Sequence, residues 1–272
     1  GVTVNGLRCA PQEFAAAVDF GLEPSPFCDA AFLLTDPQLR PGRHAYHHAG
    51  VFYVQEPSAS VPAGLLGVRP GERVLDLCAA PGGKSIHVAE KLGGSGHVEA
   101  RDLTPYKVGM IEENIERTGL LNIEAVCQDA LVYDEESREK ADIVIADLPC
   151  SGLGVLGKKT DLKYKATKQG AAELAQMQRE MLDVVCRYVK SGGKLLYSTC
   201  TVNPAENEEN VRWFLETHPE FELADLRECM KQWKPEACEE LLQAVSEEGW
   251  LQLLPGIHKS DGFFIAGLRK RK

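Results

Sequence analysis

Several features that would assign this chain to a membrane or secreted class are missing from its 272 residues. No apolar run reaches the ~18 residues that a membrane-spanning helix needs, and no basic-then-apolar leader opens the chain to indicate export. The nine cysteines are an odd number and include no C-x-x-C pair, which argues against a zinc ribbon or a disulfide scaffold. We therefore expect a cytoplasmic protein with free thiols.

The chain is also poor in net positive charge. Its formal net charge is -10, which by itself argues against a nucleic-acid partner. The bases are unevenly distributed, however: five lysines and one acid lie between Lys158 and Lys168, and the chain ends Arg269-Lys-Arg-Lys272. A lysine cluster of this kind is typical of a solvated loop and also of a phosphate-binding surface, so both interpretations stay open at this point.

The pattern of apolar residues predicts an α/β protein. Short apolar segments alternate with helical ones, which is typical of a parallel sheet covered by helices on both faces. The predicted strands are 73–78, 97–102, 122–127, 141–146, 194–200 and 262–268, and the predicted helices are 85–92, 105–118, 170–189 and 204–218. We assign residues 51–272 to this doubly wound domain.

Residues 1–50 differ from the rest and predict a small α+β lobe. Val2–Leu7 is a candidate strand, Pro11–Val18 a candidate helix, and a proline-rich stretch follows. The lobe is too small for a full core of its own, and its abrupt start leads us to expect a longer native chain. His44, His47 and His48 could form a metal cluster, but no acid or cysteine lies near them in sequence. We therefore favour a loop that lines the site, and we expect no metal.

Ligands of open parallel sheets bind beyond the carboxyl ends of the strands. The first such end is a turn of small residues that lets backbone N–H groups approach an anionic or polar ligand, although a tight turn without a ligand is the alternative. Asp102 is suited to the hydroxyls of a ribose and Asp129 to an adenine amino group; each alone could be a turn or helix cap. Together they outline an adenosine pocket. The predicted cofactor residues are Cys78, Ala79, Ala80, Pro81, Gly82, Gly83, Lys84, Asp102, Asp129 and Asp147.

Two other nucleotide-binding patterns do not apply. The Walker pattern fails because its first glycine is missing before Lys84. Gly152–Gly157 matches G-x-G-x-x-G, but no apolar helical stripe and no acid-tipped strand follow it at the expected distance. We therefore do not interpret the chain as a dehydrogenase.

Two cysteines stand at the carboxyl ends of predicted strands, in Asp147-Leu-Pro-Cys150 and in Ser198-Thr-Cys200. Structural cysteines in the core are the simpler interpretation of most unpaired thiols. At strand ends beside an adenosine pocket, one thiol can instead attack an electron-poor ring carbon while the other acts as a base.

These segments resemble the Nop/Sun (Sun/Fmu) family of RNA cytosine-5 methyltransferases. The resemblance lies in Val74-Leu-Asp-Leu-Cys-Ala-Ala-Pro-Gly-Gly-Lys84, Asp147-Leu-Pro-Cys-Ser-Gly152 and Tyr197-Ser-Thr-Cys-Thr201, with Gln55-Glu-Pro-Ser-Ala59 and Asp261-Gly-Phe-Phe264 in support. Residues 1–60 look like the YebU branch, and the middle and C-terminal parts look like the Sun branch. A fragment, a divergent paralogue and an engineered hybrid are all compatible with this mixture.

The resemblance implies a seven-stranded Rossmann-like sheet and S-adenosylmethionine as methyl donor. It further implies that Cys200 is the nucleophile, that Cys150 assists release, and that Asp147 holds the cytosine edge. The expected substrate is small-subunit ribosomal RNA, with transfer RNA as the alternative, and the expected state is a monomer. Two rivals remain: a DNA cytosine methyltransferase, in which the Pro-Cys thiol attacks, and a catalytically idle RNA-binding assembly factor on the same fold.

Overall fold

The computed structural model describes residues 1–230, 239 and 241–272. The strands are β1 (Val2–Val4), β2 (Leu22–Pro24), β3 (Ala31–Leu34), β4 (Phe52–Val54), β5 (Arg73–Leu77), β6 (His97–Asp102), β7 (Ile123–Cys127), β8 (Ala141–Asp147), β9 (Val189–Thr199), β10 (Phe221–Ala224), β11 (Leu251–Leu253) and β12 (Phe263–Lys270). The helices are α1 (Pro11–Ala17), α2 (Ala45–His48), α3 (Val61–Leu65), α4 (Gly83–Lys91), α5 (Pro105–Thr118), α6 (Leu162–Lys165), α7 (Lys168–Val185), α8 (Glu208–Thr217) and α9 (Leu226–Met230).

The large sheet confirms the predicted doubly wound fold. Its strand order is β10-β12-β9-β8-β5-β6-β7, and β11 adds an eighth strand by pairing with β12. Strands β5 to β9 pair in parallel, whereas β12 is antiparallel to β9. The antiparallel edge consists of β10, β11 and β12, which follow the alternating strands and helices in the chain.

Helices cover the sheet on both faces, as continuously apolar strands require. Along β8 the side chains alternate between two buried clusters: Ile143 faces the cluster that holds residues of α4 and α5, and Val144 faces the cluster of α7 and α8. The strand ends that carry the predicted site therefore lie at one edge, between two helical layers. Within the described residues, no helix combines the length and the apolar character needed to cross a membrane.

The N-terminal part forms a separate antiparallel sheet with the order β2-β3-β1-β4. Its last strand, β4, lies two residues beyond the lobe boundary predicted at residue 50. The lobe has its own apolar cluster around Phe14 and Phe52. It is fixed to the large domain through α5, where Arg117 donates to the carbonyl oxygens of His47 and Phe52 at 2.9 and 3.3 Å.

Local signals explain one helix closely and fail for two others. The N-cap Thr104 and the left-handed Gly119 bound α5 as predicted. The predicted helix at 204–218 is broken: a short 3-10 turn (Pro204–Glu206) precedes α8, because the amide of Asn207 binds Thr199 and Thr201 instead. Helix α7 ends at Val185, four residues before the predicted end at residue 189. Its buried side chains are Ala175, Gln178, Met181, Leu182 and Val185.

Candidate active site

The turn after β5 is shaped by backbone conformations that few residue types adopt. Cys78 has a φ of 61° and Gly82 a φ of 99°, and a side chain at Gly82 would lie 3.3 Å from Ile111. A Cβ on Gly83 would meet the Gln55 amide at 3.3 Å. The turn is therefore closely packed at both glycines, at the point where α4 begins.

Asp102 reaches this turn directly. Its carboxylate accepts from the backbone N–H of Ala80 at 3.0 Å and of Leu103 at 2.7 Å, and Lys107 Nζ lies 3.0 Å from it. Asp102 is 3% exposed, so this acid holds the turn as well as facing it. Asp129, by contrast, closes a local turn by accepting from Leu131 N–H at 2.9 Å, and its place in an adenine pocket stays a prediction.

A further carboxylate, Asp76, was not among the predicted site residues. It is fully buried at the end of β5 and accepts from the Ser85 hydroxyl. Burial raises the pKa of Asp76 to about 7, and its Oδ1 has no hydrogen-bond partner in the described part of the chain. The Val-Leu-Asp-Leu pattern of β5 could have indicated it, since an acid in a buried apolar strand calls for a partner.

Carboxylates also surround Cys78. Burial raises the pKa of this thiol to about 12, and Asp102, Asp147 and Asp76 add to the effect. Cys78 therefore stays a neutral thiol and does not compete as a nucleophile. The three acids stand at the carboxyl ends of β5, β6 and β8, at the edge of the sheet where the turn lies.

The two remaining predicted cysteines come together, although 50 residues separate them in sequence. Cys150 Sγ lies 3.3 Å from Cys200 Sγ. The hydrogen bond with Cys150 lowers the pKa of Cys200, with support from Lys84 and Lys159 and against the effects of burial and Asp147. The same bond and burial raise the pKa of Cys150. Cys200 is therefore the thiol of the pair that ionises more readily.

Asp147 and Lys84 form an ion pair next to these thiols. Lys84 Nζ lies 2.6 Å from Asp147 Oδ2, and Asp147 Oδ1 accepts from the Ser198 hydroxyl at 2.6 Å. Burial lowers the pKa of Lys84, but Asp147 outweighs it and raises that pKa overall. Lys84 also lies 5.3 Å from the centre of the Phe263 ring, which places the C-terminal Asp-Gly-Phe-Phe motif at the site.

The G-x-G-x-x-G match has a packing explanation. Gly154 N–H donates to the carbonyl of Cys200 at 3.1 Å, and Gly262 N–H donates to the carbonyl of Gly154 at 2.8 Å. A Cβ on Gly154 would overlap the carbonyl oxygens of Gly262 and Cys200. Glycine is therefore needed so that this loop can approach the loop of Cys200.

The lysine segment continues from the loop that contacts Cys200, because the N–H groups of Lys158 and Lys159 donate to the carbonyl of Val155. Lys158 pairs with Asp261 at 2.7 Å, and Lys163 lies 4.8 Å from the Tyr164 ring. The side chain of Lys165 lies outside the described residues. The start of this segment is therefore joined to the loop beside Cys200 and to the C-terminal Asp-Gly-Phe-Phe motif.

The three histidines belong to the small lobe. His44 caps α2 by accepting from Tyr46 N–H, and the rings of His47 and His48 lie 5.7 Å apart. The described residues contain no group of three or more histidine, cysteine or acidic side chains placed to hold a metal ion.

Comparison with known proteins places this geometry in a family. Residues 63–269 match the family described as 16S rRNA methyltransferase RsmB/F. The chain belongs to the RsmB/F family. Residues 1–57 match the N-terminal domain of the 16S rRNA methyltransferase RsmF. The predicted Nop/Sun membership is confirmed, and so is the distinct character of the N-terminal part.

Individual relatives agree with this assignment. The chain is 39% identical over 231 residues to the probable ribosomal RNA small subunit methyltransferase B of Bacillus subtilis, covering 85% of this chain and 50% of that protein. It is 33% identical over 278 residues to the ribosomal RNA small subunit methyltransferase F of Klebsiella pneumoniae, covering 99% and 57%. A solved methyltransferase homolog protein from Pyrococcus horikoshii has a TM-score of 0.82 at 29% identity, covering 99% and 85%. The chain thus spans 50 and 57% of the two curated relatives.

RsmB/F proteins depend on S-adenosylmethionine, and this confirms the predicted cofactor. The residues at the strand ends fit it. The buried Oδ1 of Asp76 needs a donor, the glycine turn leads into the N-terminus of α4, and Asp102 lies against that turn.

Proposed function

We propose that this RsmB/F chain methylates C5 of a cytosine in small-subunit ribosomal RNA through a covalent bond between Cys200 and C6. The observation that carries the proposal is the Cys150–Cys200 pair, with its sulfur atoms 3.3 Å apart beside the Lys84–Asp147 ion pair. A DNA-type enzyme needs the Pro-Cys thiol alone, and an idle binding protein needs neither thiol.

The chemistry begins with the thiolate. Cytosine C5 is a poor nucleophile until a sulfur atom adds to C6 and breaks the aromaticity of the ring. Cys200 forms this S–C6 bond, and the electron pair moves toward C5 and the N3 edge. Asp147 holds the amino and N3 edge of the base, and the Lys84 cation balances the charge beside it.

When bound, S-adenosylmethionine would supply an electrophilic methyl group to C5. The residues Cys78 to Lys84 would hold its methionine part, Asp102 its ribose and Asp129 its adenine. Because the target base must leave any stacked helix to reach this crevice, base flipping is part of the reaction.

Cys150 completes the cycle. Its pKa is raised by the neighbouring thiolate and by burial. Once Cys200 is bonded to C6, the thiolate is gone, so Cys150 loses its proton to solvent and can accept the proton of C5. The C6–S bond then breaks and restores the Cys200 thiolate, with one net proton released, as methyl transfer from a sulfonium requires.

The two cysteine variants test this assignment. In denaturing gels with 16S rRNA and cofactor, Cys200→Ala should give neither product nor adduct. Cys150→Ala should methylate but fail to release, so a stable protein–RNA adduct accumulates. Cys127→Ala is the matched control, because this cysteine is exposed. An adduct with Cys200→Ala and none with Cys150→Ala reverses the roles and restores the DNA-type mechanism.

We further propose that the RNA is held by the small lobe (residues 1–50) and by the Lys158–Lys168 segment, whose lysines supply phosphate contacts that the acidic bulk lacks. In this proposal the chain acts as a monomer in the cytoplasm and needs no metal. Bisulfite mapping of ribosomal and transfer RNA, from cells with and without the gene, decides between the two RNA classes. A cytosine lost only from transfer RNA contradicts the ribosomal assignment.

A further inference from the structure

A buried carboxylate lies beneath both cysteine loops and has no part in the reaction above. Glu206 is 0% exposed. Its Oε2 accepts from the backbone N–H of Ser151 at 2.8 Å and from Gln178 Nε2 at 3.2 Å. Its Oε1 accepts from Asn203 Nδ2 at 2.8 Å.

Two of these donors belong to the segments that carry the thiols, and the third, Gln178, lies on α7. Ser151 follows Cys150 directly, and Gln178 also donates to the carbonyl of Pro149 at 2.8 Å. Asn203 lies on the loop that leaves Cys200. The carboxylate thus joins one segment to the other through a single side chain.

The residue type matches this role. All three partners present N–H donors, and the orientations of the two amides are fixed. The Gln178 oxygen accepts from Tyr197 and Asn210, and the Asn203 oxygen accepts from Ala205 N–H. A carboxylate offers two acceptor oxygens and no donor, whereas an amide would turn an NH₂ group toward donors.

We propose that Glu206 is a positioning residue that sets the separation of Cys150 and Cys200 by tying their two loops together. The proposal rests on the two-thiol function proposed above. A thiol-to-thiolate hydrogen bond depends steeply on distance and angle. A loosened Cys150 loop therefore weakens the bond that keeps Cys200 ionised, and the nucleophile becomes scarcer at neutral pH.

The test is the pH dependence of Cys200 alkylation by iodoacetamide, followed by mass spectrometry of the Cys200 peptide in the full chain. With Glu206→Gln we expect the alkylation midpoint to move up by about one pH unit, which is a tenfold loss of thiolate below the midpoint. The kcat on RNA should fall roughly 10²-fold, the effect of an ångström-scale misplacement. Binding of S-adenosylhomocysteine should stay within about twofold, because the cofactor residues do not contact Glu206.

Glu209→Gln is the matched control, since it neutralises an exposed carboxylate of α8. If Glu206→Gln does not fold, Asn203→Ala removes one donor from the Cys200 side alone and should give a smaller upward shift. A Cys200 midpoint equal to that of Glu209→Gln, in whichever of the two variants folds, overturns the positioning role. A wild-type chain that forms no RNA adduct, with the midpoint shift still present, overturns the proposed function and leaves the positioning role standing.

Discussion

The sharpest consequence of the geometry concerns Asp102, because binding and stability measurements on one variant separate its proposed role in the site from its role in the fold. It is proposed to bind the cofactor ribose, and it also anchors the turn through Ala80 N–H. In Asp102→Ala the ribose would lose two hydrogen bonds to a charged group, each worth about 1.5–3 kcal/mol. A total of roughly 3–6 kcal/mol corresponds to a 10²- to 10⁴-fold weaker affinity.

Loss of the hydrogen bond between Asp102 and the turn should lower the free energy of unfolding. Ala80 N–H would be left without its acceptor, and because Ala80 is only half-buried the cost should lie near the lower end of the ~1–3 kcal/mol for a buried donor. Leu103 is 57% exposed, so water can replace the lost bond there. Lys107 is itself 46% exposed, so loss of its pairing with Asp102 adds little. A chain of this size should melt about 2–4 °C lower per kcal/mol.

Calorimetric titration with S-adenosylhomocysteine, paired with thermal melting, measures both effects. Asp102→Asn keeps the size and one acceptor oxygen and should fall between the wild type and Asp102→Ala. Glu113→Ala, an exposed acid on α5, should change neither quantity. An affinity within twofold of the wild type, together with a lower melting temperature, would refute the ribose role and leave Asp102 as an anchor of the turn.

Two other predictions concern the surface and the buried acids. Charge reversal of Lys158, Lys159 and Lys163 should weaken RNA binding, as measured by fluorescence anisotropy. The magnitude of the slope of log affinity against log salt should fall by about 2, at ~0.7 for each of the three phosphate contacts. An unchanged slope would mean that the segment is only a solvated loop. Burial raises the pKa of Glu90 from 4.5 to about 9. Between these two pH values the folded chain holds a proton that the unfolded chain has lost. The free energy of unfolding should therefore fall as pH rises through this window, by up to ~1.4 kcal/mol per pH unit. Glu90→Gln should flatten the dependence in urea unfolding at pH 6 and 8.5, and identical slopes in the two proteins would contradict it.

The sequence by itself determined the parts of the fold that depend on neighbouring residues. Periodicity gave the alternation of strands and helices, and the cap at Thr104 with Gly119 gave the limits of α5. The composition of the Cys78–Lys84 turn indicated the turn that is proposed to hold the cofactor, and the Pro-Cys and Thr-Cys motifs indicated the two thiols that come together. Each of these signals lies within one short segment, where local sterics and hydrogen bonding act.

Only the tertiary structure decided which segments meet. The register of β8 with β9 pairs Asp147 with Ser198, and this brings Cys150 within 3.3 Å of Cys200. Neither strand's own pattern sets that register, because buried parallel strands are apolar on both faces and carry no alternation. The sequence also does not reveal the role of Glu206 or the break of the helix at Asn207. Their side chains form buried hydrogen bonds with other segments of the chain, and these bonds outweigh local helix propensity.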